Sequence, residues 1–253
     1  MPELMTALLY IMIFLYGIVI GSFLNVCIYR IPKGESIVPS SHCMSCNHKL
    51  AWYDLFPLFS YLLLKGRCRY CKAKVSVQYP VIEALNGILY IIVFMANGFN
   101  MQSVLFCLMT SALLVISIID ERTFEIPPAL NVFILVLGIF VCILDFSNIA
   151  EHLIGMVCVS LALYLLYIFS GGAAIGGGDV KLMGAAGLVL GWKLITLAFF
   201  LGCIIGAFCH VIRMKVSDAE RVLAMGPYLS IAIWICALWG NDMISWYFGM
   251  LGM

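Results

Sequence analysis

The chain has 253 residues, is 64% hydrophobic and only 11% charged, and carries a formal net charge of +1. Its mean hydropathy is +1.09. Soluble domains carry roughly a quarter charged residues, so a water-soluble globular domain is excluded. The chain is an integral membrane protein, with the lipid bilayer as its solvent, and no nucleic-acid partner is expected.

The first apolar stretch, Leu4 to Ile28, lacks a basic start and a small-residue cleavage site, so a retained span is expected rather than a removable signal. The next segment, 30–78, is polar and holds eight of the fourteen Lys and Arg residues. Within it lie Cys43, Cys46, Cys68 and Cys71, two CxxC pairs separated by twenty-one residues. That spacing suits a tetrahedral four-cysteine zinc site of the closed, structural kind. A metal would order a loop too small to build its own core. His42 and His48 are competing but weaker ligand candidates. The remaining seven cysteines are scattered in apolar runs as small hydrophobic side chains.

Further apolar runs follow at 79–97, 101–119, 128–146, 152–170, 193–212 and 222–240, with a shorter one at 179–192. Their continuity and lack of two-residue alternation predict helices, eight spans in all. No internal repeat is evident, and the apolar, aromatic tail 241–253 is expected at the interface. The positive-inside rule places the loop 30–78 in the cytoplasm. Threading eight spans from there leaves only Lys193 outside and adds Arg122, Lys181, Arg213, Lys215 and Arg221 to the inside. The expected fold is thus an all-α polytopic membrane protein of about eight transmembrane helices. Its expected parts are a first span (1–29), a small cytoplasmic zinc-binding loop domain (30–78) and a transmembrane core (79–253).

Asp120 closes the third span and Asp179 opens the sixth, 59 residues later. The topology brings both to the cytoplasmic face. Ionisable groups at membrane depth are functional candidates, and two at one depth suggest a carboxylate pair sharing a proton. Gly176, Gly177 and Gly178, just ahead of Asp179, permit close backbone approach, so an extended substrate strand fits beside Gly176 and Gly178. Taken singly, each aspartate is equally well read as a helix cap or an interfacial residue. Lys181 is an accessory candidate or a snorkelling side chain. Glu83 is either a first-turn carboxylate favoured by the helix dipole or an accessory residue of the aspartate site.

The motifs resemble those of type IV prepilin peptidases. They are GSFLNVCIYRIP (21–32), the cysteine quartet, YPVIEAL (79–85), IDERTFEIP (119–127), GGGDVKLMGA (176–185) and MGPYLSIA (225–232), in order along nearly the whole chain. Pro128 replaces a residue that is often polar in the family, and Ile175 a methionine. The resemblance implies a bifunctional enzyme of the bacterial cytoplasmic (inner) membrane, of the GxGD aspartyl class. It implies cleavage of the basic leader of type IV prepilins or pseudopilins after glycine, with Asp120 and Asp179 as catalytic residues. It also implies N-methylation of the new terminus from S-adenosyl-L-methionine. No strand-linked glycine fingerprint marks a site for that donor. Two alternatives stay open: a GxGD intramembrane protease without methylation, and a non-enzymatic scaffold that recruits partners through its zinc loop.

Overall fold

The computed structural model describes residues 2–38, 40–173, 175–216 and 223–250. Arg221, one of the expected inside cations, lies outside them. Among the described residues there is no strand, only two isolated bridges. The chain divides into two compact units, Met1–Gly98 and Phe99–Met253.

The first unit contains helices α1 (Pro2–Arg30), α2 (Phe59–Leu63) and α3 (Gln78–Asn97). Pro80 lies in the first turn of α3, where its missing N–H costs nothing. Helices α1 and α3 pack closely through Gly17 and Gly21, one turn apart on α1. A Cβ on Gly17 would lie 2.6 Å from Gly87 Cα, and one on Gly21 2.7 Å from Glu83 Cα. Small residues at this spacing let helix backbones meet in lipid. Two amides stitch the seam: Asn86 Nδ2 donates to Gly17 O at 2.8 Å, and Asn25 Nδ2 to Tyr79 O at 3.2 Å.

The second unit holds α4 (Met101–Thr123), α5 (Pro128–Leu144), α6 (Ile149–Phe169), α7 (Gly177–Leu190), α8 (Trp192–Val216) and α9 (Gly226–Met250). Asn100 caps α4 by accepting the Ser103 N–H at 2.8 Å. At its other end α4 runs past the expected limit to Thr123. Phe124 turns left-handed there, and its N–H donates to the Asp120 carbonyl at 2.8 Å. The Pro127–Pro128 pair starts α5, with Pro128 in the first turn. Helix α9 continues unbroken past residue 240 to Met250. Helices α6 and α7 touch backbone to backbone: a Cβ on Gly187 would strike the Gly155 carbonyl, and one on Gly155 the Gly187 carbonyl.

Among the described residues six helices are long and apolar enough to cross a membrane: α1, α3, α4, the stretch Phe146–Phe169, α8 and α9. Helices α5 (17 residues) and α7 (14 residues) are shorter. Eight apolar helices are therefore present, but the two shortest fall below a full span. The polar groups of the second unit sort to opposite ends. Arg213 pairs with Glu121 at 3.3 Å at one end, and Lys193 pairs with Glu151 at 3.2 Å at the other. The Asp145 carboxylate, beside His152 Nε2 at 3.5 Å, shares the second end.

Candidate functional site

Three helix ends converge at the Glu121–Arg213 end of the second unit. Asp120 lies in the last turn of α4 and is buried. Its Oδ2 accepts the Gly226 N–H at 2.8 Å. Gly226 is the first residue of α9, so the partial positive charge of that helix terminus points at the carboxylate. No side chain fits between them, since a Cβ on Gly226 would lie 2.6 Å from Asp120 Oδ2. Asp179 lies in the first turn of α7, half-buried, within range of the Asp120 charge. Its Oδ1 is buried and has no hydrogen-bond partner among the described residues.

The glycines before Asp179 sit differently from one another. Gly176 is exposed, and a Cβ there would lie 3.0 Å from Asp179 Oδ2. Gly178 faces Ile126, whose Cβ would lie 2.9 Å from an added one. The Gly178 carbonyl accepts from Asn131 Nδ2 at 3.4 Å. With that amide committed to a carbonyl, Asn131 Oδ1 faces the other way, buried and unpartnered. Lys181 is exposed. The sequence reading missed Gly226 and Asn131 as site residues. Gly226 was marked only as part of the MGPYLSIA motif (225–232), and Asn131 only as one amide in an apolar run.

Glu83 belongs to the first unit. It is buried on α3, and its Oε2 accepts the Leu58 N–H at 2.8 Å, with the Ser22 hydroxyl as a further partner. Leu58 has φ 60°, and the Phe59 N–H bonds back to Pro57 O at 2.6 Å. This is a γ-turn of the uncommon, strained hand.

The cysteine loop folds into two matching knuckles. In the first, Cys43 N–H donates to His48 O, Asn47 takes a positive φ, and His42 bridges to Lys49. In the second, Cys68 N–H donates to Ala73 O, Lys72 takes a positive φ, and Arg67 bridges to Lys74. Every element recurs after 25 residues, a short repeat hidden in sequence because little beyond the cysteines is shared. The four sulfurs all lie within 4.8 Å of one another, and Cys43 Sγ is 3.8 Å from Cys71 Sγ. Zinc–sulfur bonds of about 2.3 Å in a tetrahedron put the sulfurs roughly 3.8 Å apart, so the quartet fits such an ion. The backbone N–H groups of Ser45 and Cys46 pull the Cys43 thiol down to about 6, which favours the metal-binding thiolate. His48 is not in the cluster; its ring lies 3.7 Å from that of Tyr70. Asp54 ties the intervening turn (Trp52–Leu55) to the second knuckle through Arg69 Nε at 2.6 Å and the Tyr70 hydroxyl at 3.2 Å.

Together these features define a helical, multi-pass membrane protein with an aspartate pair at one end of its core and a four-thiol cluster in its polar loop. Residues 15–97 match the bacterial peptidase A24 N-terminal domain, and residues 107–211 the type IV leader peptidase family. The chain is 32% identical to a prepilin leader peptidase/N-methyltransferase of Aeromonas hydrophila, over 93% of this chain and 92% of that one. It is 31% identical to the protein of the same name from Pseudomonas aeruginosa, over 94% and 93%. With that of Legionella pneumophila it shares 28% identity over 95% of each. No solved structure is a significant match. The chain belongs to the type IV leader peptidase family.

Proposed function

We propose that this protein is a prepilin leader peptidase and N-methyltransferase. It cleaves the short basic leader of type IV prepilins or pseudopilins after glycine, at the cytoplasmic face of the bacterial inner membrane. It then methylates the new N-terminus from S-adenosyl-L-methionine. The observation that carries the peptidase reading is the pairing of Asp120, anchored by the Gly226 N–H, with Asp179, whose buried Oδ1 has no partner. Adjacent carboxylates resist ionising together and hold one proton between them. The ionised member takes a proton from water, and the water oxygen attacks the scissile carbonyl carbon. The protonated member donates to the carbonyl oxygen. Collapse of the intermediate breaks the C–N bond, and a proton passes to the leaving amine. The pair ends with a single proton, as it began.

The exposed Gly176 leaves room for an extended substrate strand beside Asp179. Asn131 Oδ1 is a spare acceptor for a substrate N–H or the attacking water. Cys43, Cys46, Cys68 and Cys71 would hold one Zn2+ that closes the loop and takes no part in the chemistry. No residue set is assigned to S-adenosyl-L-methionine, because among the described residues no strand exists to carry a glycine-rich donor loop.

The test is cleavage of a synthetic prepilin in membranes by Asp120→Asn and Asp179→Asn. Either change should abolish cleavage while the protein stays inserted. Normal cleavage by either variant would favour a scaffold. Cleaved pilin without an added methyl group would leave a peptidase alone.

A further inference from the structure

The loop of the first unit carries an apolar surface that its own fold leaves uncovered. Trp52, Tyr53, Phe56, Phe59, Leu62 and Leu63 are all exposed, with Trp52 at 77%, Leu62 at 70% and Leu63 at 82%. An open cleft of about 350 Å³ runs among Tyr53, Phe56, Phe59 and Leu63, bounded also by Ser60 and Arg69. Contiguous exposed apolar side chains signal a partner or a membrane.

Two observations say which. The first is depth. Glu83 is the sixth residue of α3, about 7.5 Å along a helix that is long and apolar enough to cross a membrane from Gln78 to Asn97. Its carboxylate holds the Leu58 backbone N–H at 2.8 Å. The aromatic segment is therefore pinned alongside the first turns of a membrane span. An in-plane segment rests about 5–10 Å into the headgroup–acyl boundary. Trp and Tyr concentrate at that level, where an apolar ring and a polar edge are both satisfied.

The second is charge. Lys49, Lys65, Arg67, Lys72 and Lys74 are exposed and form no ion pair among the described residues. The loop's acids are only Glu35 and Asp54, and Asp54 is committed to Arg69. Such a basic surface beside an apolar edge suits anionic headgroups.

We propose that residues 52–63 form an in-plane membrane segment. Its aromatic edge sits in the bilayer crossed by α1 and α3, and the two cationic knuckles flank it on anionic headgroups. Glu83 then serves as the latch that sets its depth.

The experiment compares wild type with Trp52→Phe in nanodiscs of phosphatidylcholine and phosphatidylglycerol whose acyl chains carry bromine at different depths. The wild-type minus variant emission isolates Trp52. It should be quenched, most strongly by bromine nearest the headgroup. The quenching should weaken in phosphatidylcholine alone or at high salt. Emission from Trp52 that ignores bromine at every depth would overturn the proposal. So would shielding of Trp52 that appears only on adding a prepilin peptide, which would assign the face to substrate. Quenching unaffected by lipid charge would overturn the role given to the knuckles. Because the readout is lipid contact, it stands apart from the peptidase reading and from activity.

Discussion

The Asp120–Gly226 contact sets a sharp test. In Gly226→Ala the new Cβ would lie 2.6 Å from Asp120 Oδ2, 2.8 Å from its Cγ and 2.9 Å from its Cβ. Ordinary contact begins near 3.4 Å, so the carboxylate must retreat by about 0.8 Å. Rotation of the side chain cannot relieve this fully, because Asp120 Cβ is fixed to the α4 backbone. The 2.8 Å bond from the Gly226 N–H stretches or breaks, and a hydrogen bond to a charged group is worth about 1.5–3 kcal/mol. Misplacing a reacting group by about 1 Å costs roughly 10²-fold. Both routes give the same expectation: kcat for prepilin cleavage falls about 10²-fold, KM changes little, and the melting midpoint stays near the wild-type value. The assay is turnover of a purified prepilin in nanodiscs, with a melting curve as the control for folding. A Gly226→Ala enzyme within about threefold of wild type would show that the α9 terminus does not position Asp120.

Cys43→Ser removes one of the four proposed ligands and should weaken metal retention by more than about 10²-fold, a loss that even the loss of a group hydrogen-bonded to a ligand can reach. Metal analysis after gel filtration reads this out, and protease resistance of loop 30–78 should fall with it. Gly187→Ala drives a methyl group into the Gly155 carbonyl. Overpacking of this kind costs about 1–3 kcal/mol, seen as a lower melting midpoint. Desolvation pushes the Asp54 carboxyl up, but the Arg69 and Tyr70 side chains and the Ala51 N–H outweigh it and hold the group below the usual carboxylate range. Its contribution is then fully present above the unfolded value near 3.9 and is lost as pH falls through the lower folded value. The stability gap between wild type and Asp54→Asn should be flat through neutral pH and close below about pH 4, as thermal melts across pH will record.

What the sequence disclosed here depended on how each feature is encoded. The cysteine quartet and Asp120 and Asp179 announce themselves by residue type, because thiols at CxxC spacing and acids in apolar runs are rare without a reason. Gly226 contributes a backbone N–H, which every residue but proline possesses. Its importance comes from a close approach between helices 106 residues apart in sequence, and no local pattern reports that. Leu58 was equally silent, since its turn is forced by Glu83 on another element rather than by glycine. The apolar runs fixed where helices lie to within a turn or so, yet not how they end. The Asp120 carbonyl capped by Phe124 carries α4 to Thr123, and nothing after Gly240 interrupts α9. The knuckle repeat escaped notice because its likeness lies in hydrogen bonds and φ angles rather than in side chains.

Fourteen residues make α7 about 21 Å long, against about 30 Å of hydrocarbon. Trp192 and Lys193, which follow its last turn at once, are of the kind that anchor a helix at the headgroups. A straight helix moored at that end would begin roughly 9 Å short of the opposite boundary and hold Asp179, two residues further in, roughly 12 Å from it. A peptide bond bound for it has to descend out of the headgroup layer with water following behind. The thickness of the surrounding lipid thereby becomes a working dimension of the catalyst, one that the cell could alter without touching the polypeptide.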